Sequence, residues 1–370
     1  MKKAIAFLGA AALLVGSLAG CGSSSSSGGS SSAASTQAAS TAQTTAVDAS
    51  TDTAEASTET SADASSGDTY TFKVALQNGE QHPLSQGVAK FGDILEEKSG
   101  GRMKLDIYYS GSLGDKATTV QGLQTGTIDA AMLMGGVIAD YGCDELKVFS
   151  LPYLFDSVDQ ARNFEKSDEG QKVLDTVESS GSGMVCIGTY QESARNYFFK
   201  NKKVEKPADM KNLQIRCQEG SIYNDAVEAL GAYSQSIAFS ELYSALQSGV
   251  VDGAEQPLSG YVTNAFQEVS KYYVLDQHEI SPNLVLFSKA TWDKLSDDDK
   301  AIIKEAFSES VPEFKKISDA KDDEYMQQIK DAGVEVINVN IEDWQKACQS
   351  VYDKYGDQYK DVIAAIKATK

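Results

Sequence analysis

Arginine is the residue whose scarcity first suggests chemistry in this 370-residue chain. Only Arg102, Arg162, Arg195 and Arg216 occur among its 33 basic residues. A guanidinium offers a rigid, permanently charged fork that grips a carboxylate through two parallel hydrogen bonds, which an ammonium cannot do. A chain that clothes its surface in lysine and holds arginine back is therefore read as using arginine for recognition. Other reactive types are sparse. His82 and His278 form no HExxH metal motif, and neither a GxSxG elbow nor a phosphate-binding glycine loop is present. No pair of carboxylates is marked out by spacing. Catalysis is not expected, and neither is a cofactor or a metal. Cys143, Cys186, Cys217 and Cys348 lie too far apart for a zinc knuckle or a CxxC pair, and Cys186 and Cys217 read as buried free thiols in strands.

The elements that must hold such groups follow from hydrophobic periodicity. TFKVALQ (71–77) alternates like a strand, Leu84, Val88, Phe91 and Leu95 recur at helical spacing, and Met103, Leu105, Ile107 and Tyr109 alternate again. A glycine turn at 111–114 leads to a second helix and then to the apolar strand IDAAMLM. A helix over 157–178, strands at 184–189 and 213–217, and a helix through Ala226 and Leu230 continue the pattern. Ser240 is expected to cap a helix stopped by Gly249, and Ser296 to start a long helix after a strand over 283–288. Strands interleaved with helices imply βαβ units, so the fold class is α/β with largely parallel sheets.

The first 69 residues differ from this body. Lys2 and Lys3, the short apolar run Ala4–Leu14 and Leu18-Ala19-Gly20-Cys21 read as an export signal (1–21) closed by a lipobox, with Cys21 as the lipid-attachment residue. Residues 22–69 are almost wholly Ser, Ala, Thr and Gly with six acids, a composition expected to form a disordered tether spanning roughly 40 Å. Removing the charges of these two segments from the total of -20 leaves the body about -16. So acidic a surface, without a basic stripe, argues against nucleic acid as a partner. No second apolar span exists to form a transport channel.

One block is more specific than any pattern. ARNYFFKNKKVEKPADMKNLQIRCQEGSIY (194–223) and ALGAYSQSIAFSELYSALQSGVVDGAEQPL (229–258), with LGDKATTVQGLQTGTIDAAML and LPYLF upstream, resemble the extracytoplasmic solute receptors of TRAP transporters, the dicarboxylate-binding periplasmic type. The resemblance spans essentially all of 70–370. It implies a two-lobed, hinged periplasmic-binding-protein-like fold with a mostly parallel sheet in each lobe and long C-terminal helices. Lobe I would comprise 70–193 plus about 282–321, and lobe II about 194–281 plus 322–370. It also implies a small carboxylate ligand, TRAP permease membrane subunits as partners, a monomeric state, and a place on the outer face of the cytoplasmic membrane, anchored through Cys21.

The same resemblance assigns residues. Arg216, in the L-x-I-R position, would pair with the ligand carboxylate, the competing reading being a surface salt bridge. Arg195 would line the cleft, Phe239 pack on the ligand, and Gln256 stand where relatives carry asparagine. His82 would touch the ligand or structure a turn, and Glu219 would face the cleft if the strand ends near it. Some relatives carry an arginine where this chain has Ala117, leaving Lys116 as the neighbouring cation. The alternatives are a solute-binding lipoprotein of an ATP-driven importer and a surface adhesin, neither of which accounts for FSELYSALQSGVVDG.

Overall fold

The computed structural model describes residues 67–370, so the expected signal, Cys21 and nearly all of the tether lie outside the described residues. Eleven strands occur among them: β1 (Tyr70–Ala75), β2 (Met103–Tyr108), β3 (Ala130–Met134), β4 (Met184–Tyr190), β5 (Asn196–Phe199), β6 (Gln214–Cys217), β7 (Tyr233–Ser236), β8 (Gly253–Gln256), β9 (Tyr272–Leu275), β10 (Asn283–Ser288) and β11 (Glu335–Asn338). They form two sheets, ordered β2-β1-β3-β10-β4 and β11-β9-β5-β8-β6-β7. Helices separate most consecutive strands, so the molecule is an α/β protein built on two sheets.

Each sheet is mixed rather than mostly parallel. β10 runs antiparallel to both β3 and β4, and β5 runs antiparallel to both β8 and β9. Periodicity reveals a strand but not its direction. Like β11, which stays parallel to β9, the antiparallel strands β5 and β10 enter a sheet directly after the chain has left the other one. Their central position explains their composition: every residue of β3, β5 and β10 is buried, because helices cover both faces.

Local sequence accounts for the helices that frame the sheets. Helix Pro83–Lys98 starts with Pro83 at its first turn and His82 as its cap, and it buries Leu84, Val88, Phe91 and Leu95 as their spacing predicts. Ser296 accepts a hydrogen bond from the Asp299 amide (3.1 Å) and starts helix Asp297–Asp331, 35 residues long and roughly 50 Å in length. This helix packs on Pro83–Lys98 beside the first sheet and on Leu258–Thr263 beside the second. Pro312 lies inside it and removes one backbone hydrogen bond. Two expectations need correction. The helix expected over 157–178 is two, Val158–Glu165 and Asp168–Ser179, because Ser167 caps a new start at the Gly170 amide. Ser240 does not cap a helix but lies in a 3₁₀ turn, Phe239–Glu241, and Glu241 precedes helix Leu242–Ser248. All four cysteines among the described residues are free.

Where β4 meets β10 the register slips between Val285 and Leu286, and Gly188 adopts φ 148°. A Cβ at Gly188 would lie 2.2 Å from Phe307 of the long helix. Gly188→Ala is expected to destabilise the protein by about 2–4 kcal/mol, through both strain and overlap. Urea unfolding checks this, and an unchanged midpoint would mean that β4 and the helix are not packed as described.

Candidate functional site

The ends of several strands converge on one cleft with a cavity volume of about 50 Å³. Gln77 and Asn78 follow β1, Met134 closes β3, Glu192 follows β4, Gln218 follows β6, and Gln256 closes β8. His82 and Lys116 enter from helix starts, Asn283 from the start of β10, Arg195 from just before β5, and Phe239 from its 3₁₀ turn. The crevice beyond strand ends is where open α/β sheets bind ligands, since backbone amides and short loops converge there.

Charge in and around this cleft is arranged in two contrasting ways. Arg195 is embedded in carboxylates: its Nε donates to Glu255 at 2.5 Å, Glu279 lies 3.7 Å away, and its Nη2 donates to the Glu255 carbonyl. Burial alone would lower its pKa, but Glu255 and Glu279 hold it above the ordinary value. Burial pushes the Glu279 carboxyl up to about 7, although Arg195 pulls the other way. Glu255, His278 and Glu279 bring three ligand-type atoms within 4.8 Å of one another, but Arg195 already supplies a positive charge there, and His278 is engaged with Asp276 at 2.8 Å.

Arg216 has no such compensation. It is 1% exposed, its Nε donates to the Ile237 carbonyl (2.9 Å), and its Nη1 is buried without a hydrogen-bond partner. The Phe239 ring lies 5.7 Å from the guanidinium carbon, a cation–π separation. Burial and the nearby Arg195 charge lower its pKa, with Glu255 opposing. A buried guanidinium nitrogen with nothing to donate to is costly, by about 1–3 kcal/mol or more, unless something supplies the acceptor.

Glu192 also lines the cleft. Ser259 donates to it at 2.7 Å, Asn283 at 3.4 Å, and His82 Nε2 stands 3.6 Å away. His82 Nδ1 accepts from the Leu84 amide, which leaves the ring proton on Nε2 facing Glu192. Burial, aided by Arg195, pushes the imidazole down to about 3, so His82 is neutral. Burial pushes the Glu192 carboxyl up to about 7, against Ser259 and Arg195.

The structure thus brings His82, Arg195, Phe239 and Gln256 together in the lining of one cleft; Arg216 is not itself a lining residue, its guanidinium lying 5.7 Å from the Phe239 ring. Glu219 does not line it. β6 ends at Cys217, so the next residue along, Gln218, takes the cleft position, and the charge of Glu219 acts instead on Lys116 and Tyr141.

A family model described as bacterial extracellular solute-binding protein, family 7, matches residues 74–358. The chain belongs to this family. A C4-dicarboxylate-binding periplasmic protein of Rhodobacter capsulatus is 28% identical over 77% of this chain and 86% of its own length. A TRAP periplasmic solute-binding protein from Pseudomonas putida F1, solved with bound D-glucuronate, superposes with TM-score 0.79 at 29% identity, covering 81% of this chain and 98% of that one. Another, from Sulfitobacter with β-D-galacturonate, gives 0.76 at 28% identity, over 80% and 98%. This family 7 protein is accordingly a solute receptor of the TRAP class and not one serving an ATP-driven importer.

Several cleft residues of the receptor escaped sequence reasoning. Lys116 was noted only as the neighbour of Ala117, yet it lines the cleft. Gln77, Asn78, Glu192, Gln218 and Asn283 carry no motif. Their one available signal is position, each lying within three residues of a strand end.

The raised pKa of Glu192 has a defined consequence. The folded state holds its proton to about 7 and the ordinary value is 4.5, so its contribution to stability falls as pH rises through that window. Glu192→Gln should raise the melting temperature at pH 8 and change it little at pH 5. An equal shift at both pH values would contradict the assignment.

Proposed function

We propose that this receptor captures a hydroxylated monocarboxylate, of the size of a hexuronate, in the cleft, and that Arg216 is the group that binds its carboxylate. The observation carrying this reading is the buried Arg216 Nη1 without an acceptor, in a protein of formal charge -20. A ligand carboxylate would supply that acceptor with a charge-assisted bond. The rest of the wall favours hydroxyls. Five amides, Gln77, Asn78, Gln218, Gln256 and Asn283, line it, each able to donate and accept. Two solved relatives hold uronates, in keeping with such a wall. The dicarboxylate bound by the Rhodobacter relative is the second reading, favoured by the extra cation at Lys116.

In this proposal the lobes, 70–193 with about 282–321 and about 194–281 with 322–370, close on the ligand because it touches both. Closure is driven by the ligand's greater affinity for the closed state. The receptor works as a monomer without catalysis, anchored through Cys21 to the outer face of the cytoplasmic membrane. The 22–69 tether gives it reach, and it delivers the acid to the TRAP permease subunits.

Calorimetry of residues 67–370 against D-glucuronate, D-galacturonate and succinate tests the ligand class. A uronate should bind at least tenfold more tightly than succinate, and Arg216→Ala should weaken it about 100-fold or more, equivalent to roughly 3 kcal/mol. Undiminished binding by Arg216→Ala would remove the clamp, and a preference for succinate would favour the dicarboxylate reading. For the anchor, Cys21→Ser in the full chain should move the protein from the membrane to the soluble fraction. Retention at the membrane would exclude acylation there.

A further inference from the structure

A second cavity, of about 460 Å³, lies between helix Val158–Glu165, the end of β4 and the long helix Asp297–Asp331, and it shares no lining residue with the cleft. It adjoins a bulge in β4: pairing with β10 passes from Gly188 to Cys186, leaving Ile187 as the extra residue. Its buried part is rich in acceptors. Glu165 and Gln191 are 5% and 4% exposed, both line the cavity, and the Oε1 atom of each has no hydrogen-bond partner. Thr189 donates to Glu165 Oε2 at 2.5 Å, and Arg162 of the same helix as Glu165 donates to the Gln191 carbonyl at 3.2 Å. One helix-to-strand contact therefore positions both side chains. Pro312 adds a third acceptor, having no amide to give the Ser308 carbonyl four residues before it. Phe307 and Val311, one turn apart on the long helix, supply an apolar wall. The exposed rim is cationic. Arg162 and Lys315 share Asp319, but Lys166 and Lys304 belong to no ion pair among the described residues, and Lys304 faces only the Trp292 ring, at 5.8 Å.

We propose that this cavity is a second ligand site, separate from the cleft, for an aromatic carboxylate that bears a hydroxyl: the hydroxyl reaches inward to Glu165 and Gln191, the ring lies on Phe307 and Val311, and the carboxylate stays at the rim between Lys166 and Lys304. Each part answers one feature. A buried oxygen without a partner calls for a donor, since leaving it unpaired costs its full desolvation. Burial pushes the Glu165 carboxyl up to about 7, against Thr189, Arg162 and Lys166, so near neutral pH it is present both as acceptor and as acid. A hydroxyl meets either state, because it donates and accepts. An ammonium meets only one, and it would stand among four cations, Arg162, Lys166, Lys304 and Lys315. The flat apolar wall suits a ring, and a cavity of this volume falls within the range that holds small organic molecules. Solvent screens the two exposed lysines, so they favour an anion without fixing its orientation. Nothing in the site involves Arg216, and it stands whether or not the cleft holds a uronate.

The test is calorimetry of the full chain with three probes: 4-hydroxycinnamate, cinnamate, which lacks the hydroxyl, and 4-hydroxycinnamamide, which lacks the charge. The proteins compared are the wild type, Arg216→Ala, Glu165→Leu, Lys166→Glu/Lys304→Glu and Val311→Trp. The wild type should bind 4-hydroxycinnamate in the sub-millimolar range and the other two probes about tenfold more weakly or worse. Arg216→Ala should bind all three as the wild type does. Glu165→Leu should bring 4-hydroxycinnamate down to the level of cinnamate, because the hydroxyl has lost its main partner. Lys166→Glu/Lys304→Glu should weaken 4-hydroxycinnamate by about tenfold, and Val311→Trp, which fills the cavity, should abolish it. Should Val311→Trp fail to fold, the lysine pair, being exposed, still decides. No binding of 4-hydroxycinnamate by the wild type overturns the second site. A loss in Arg216→Ala with Lys166→Glu/Lys304→Glu unaffected also overturns it, since the probe then occupies the cleft. Cinnamate binding as tightly as 4-hydroxycinnamate overturns the part given to Glu165 and the hydroxyl.

Discussion

Taking a guanidinium out of water is among the most expensive things a folded chain does, and this one does it twice within the same crevice. Arg195 is neutralised by Glu255 and Glu279, so its burial is settled within the protein. Arg216 is given only a carbonyl and an aromatic ring, so its burial is left incomplete. The contrast divides the labour. The first arginine ties strand ends together, because Glu255 belongs to β8 and Glu279 lies just before β10. The second keeps a donor in reserve. Without the first, the second would face a loose wall, and its unpaired donor would find water or a neighbouring carboxylate.

The framework around this pair is built to resist such relaxation. β3, β5 and β10 are buried along their whole length and cannot shift without opening the core. The two strands that run against their neighbours, β5 and β10, are also those beside which Arg195 and Asn283 stand. A cleft wall made at such crossings draws residues distant in sequence together. Glu192 is held by Ser259 and Asn283, 67 and 91 residues away. The helix Asp297–Asp331 runs beside both sheets as one continuous element, and Pro312 gives it a single turn with a missing hydrogen bond.

How much of this could be read from the chain depended on whether the signal was local. The periodic face of Pro83–Lys98 and the Ser296 cap are local, and they appear where their residues predict. The family block around Arg216 could be read for the same reason. Strand direction could not, because alternation reads the same whichever way a strand runs. Gln218 and Glu219 show the limit most clearly: which of two adjacent side chains faces the crevice turns on one residue of strand end. Glu192 and the amides carry no motif at all, since an amide or a carboxyl gains its role only from the groups that three-dimensional closure sets against it.

The four unpaired thiols bear on how the protein comes to be folded. Cys143, Cys217 and Cys348 are buried; Cys186 and Cys217 lie in β4 and β6, and Cys143 and Cys348 flank helices, with no covalent bridge at any of the four. Burial pushes the Cys186, Cys217 and Cys348 thiols up to about 12, so almost none of each is thiolate at neutral pH. Thiolate is the species that attacks a disulfide, so the folded chain is a poor substrate for exchange. Its native state neither waits for an oxidant nor loses anything to a reductant, and its yield should be indifferent to the redox poise of the compartment in which it folds.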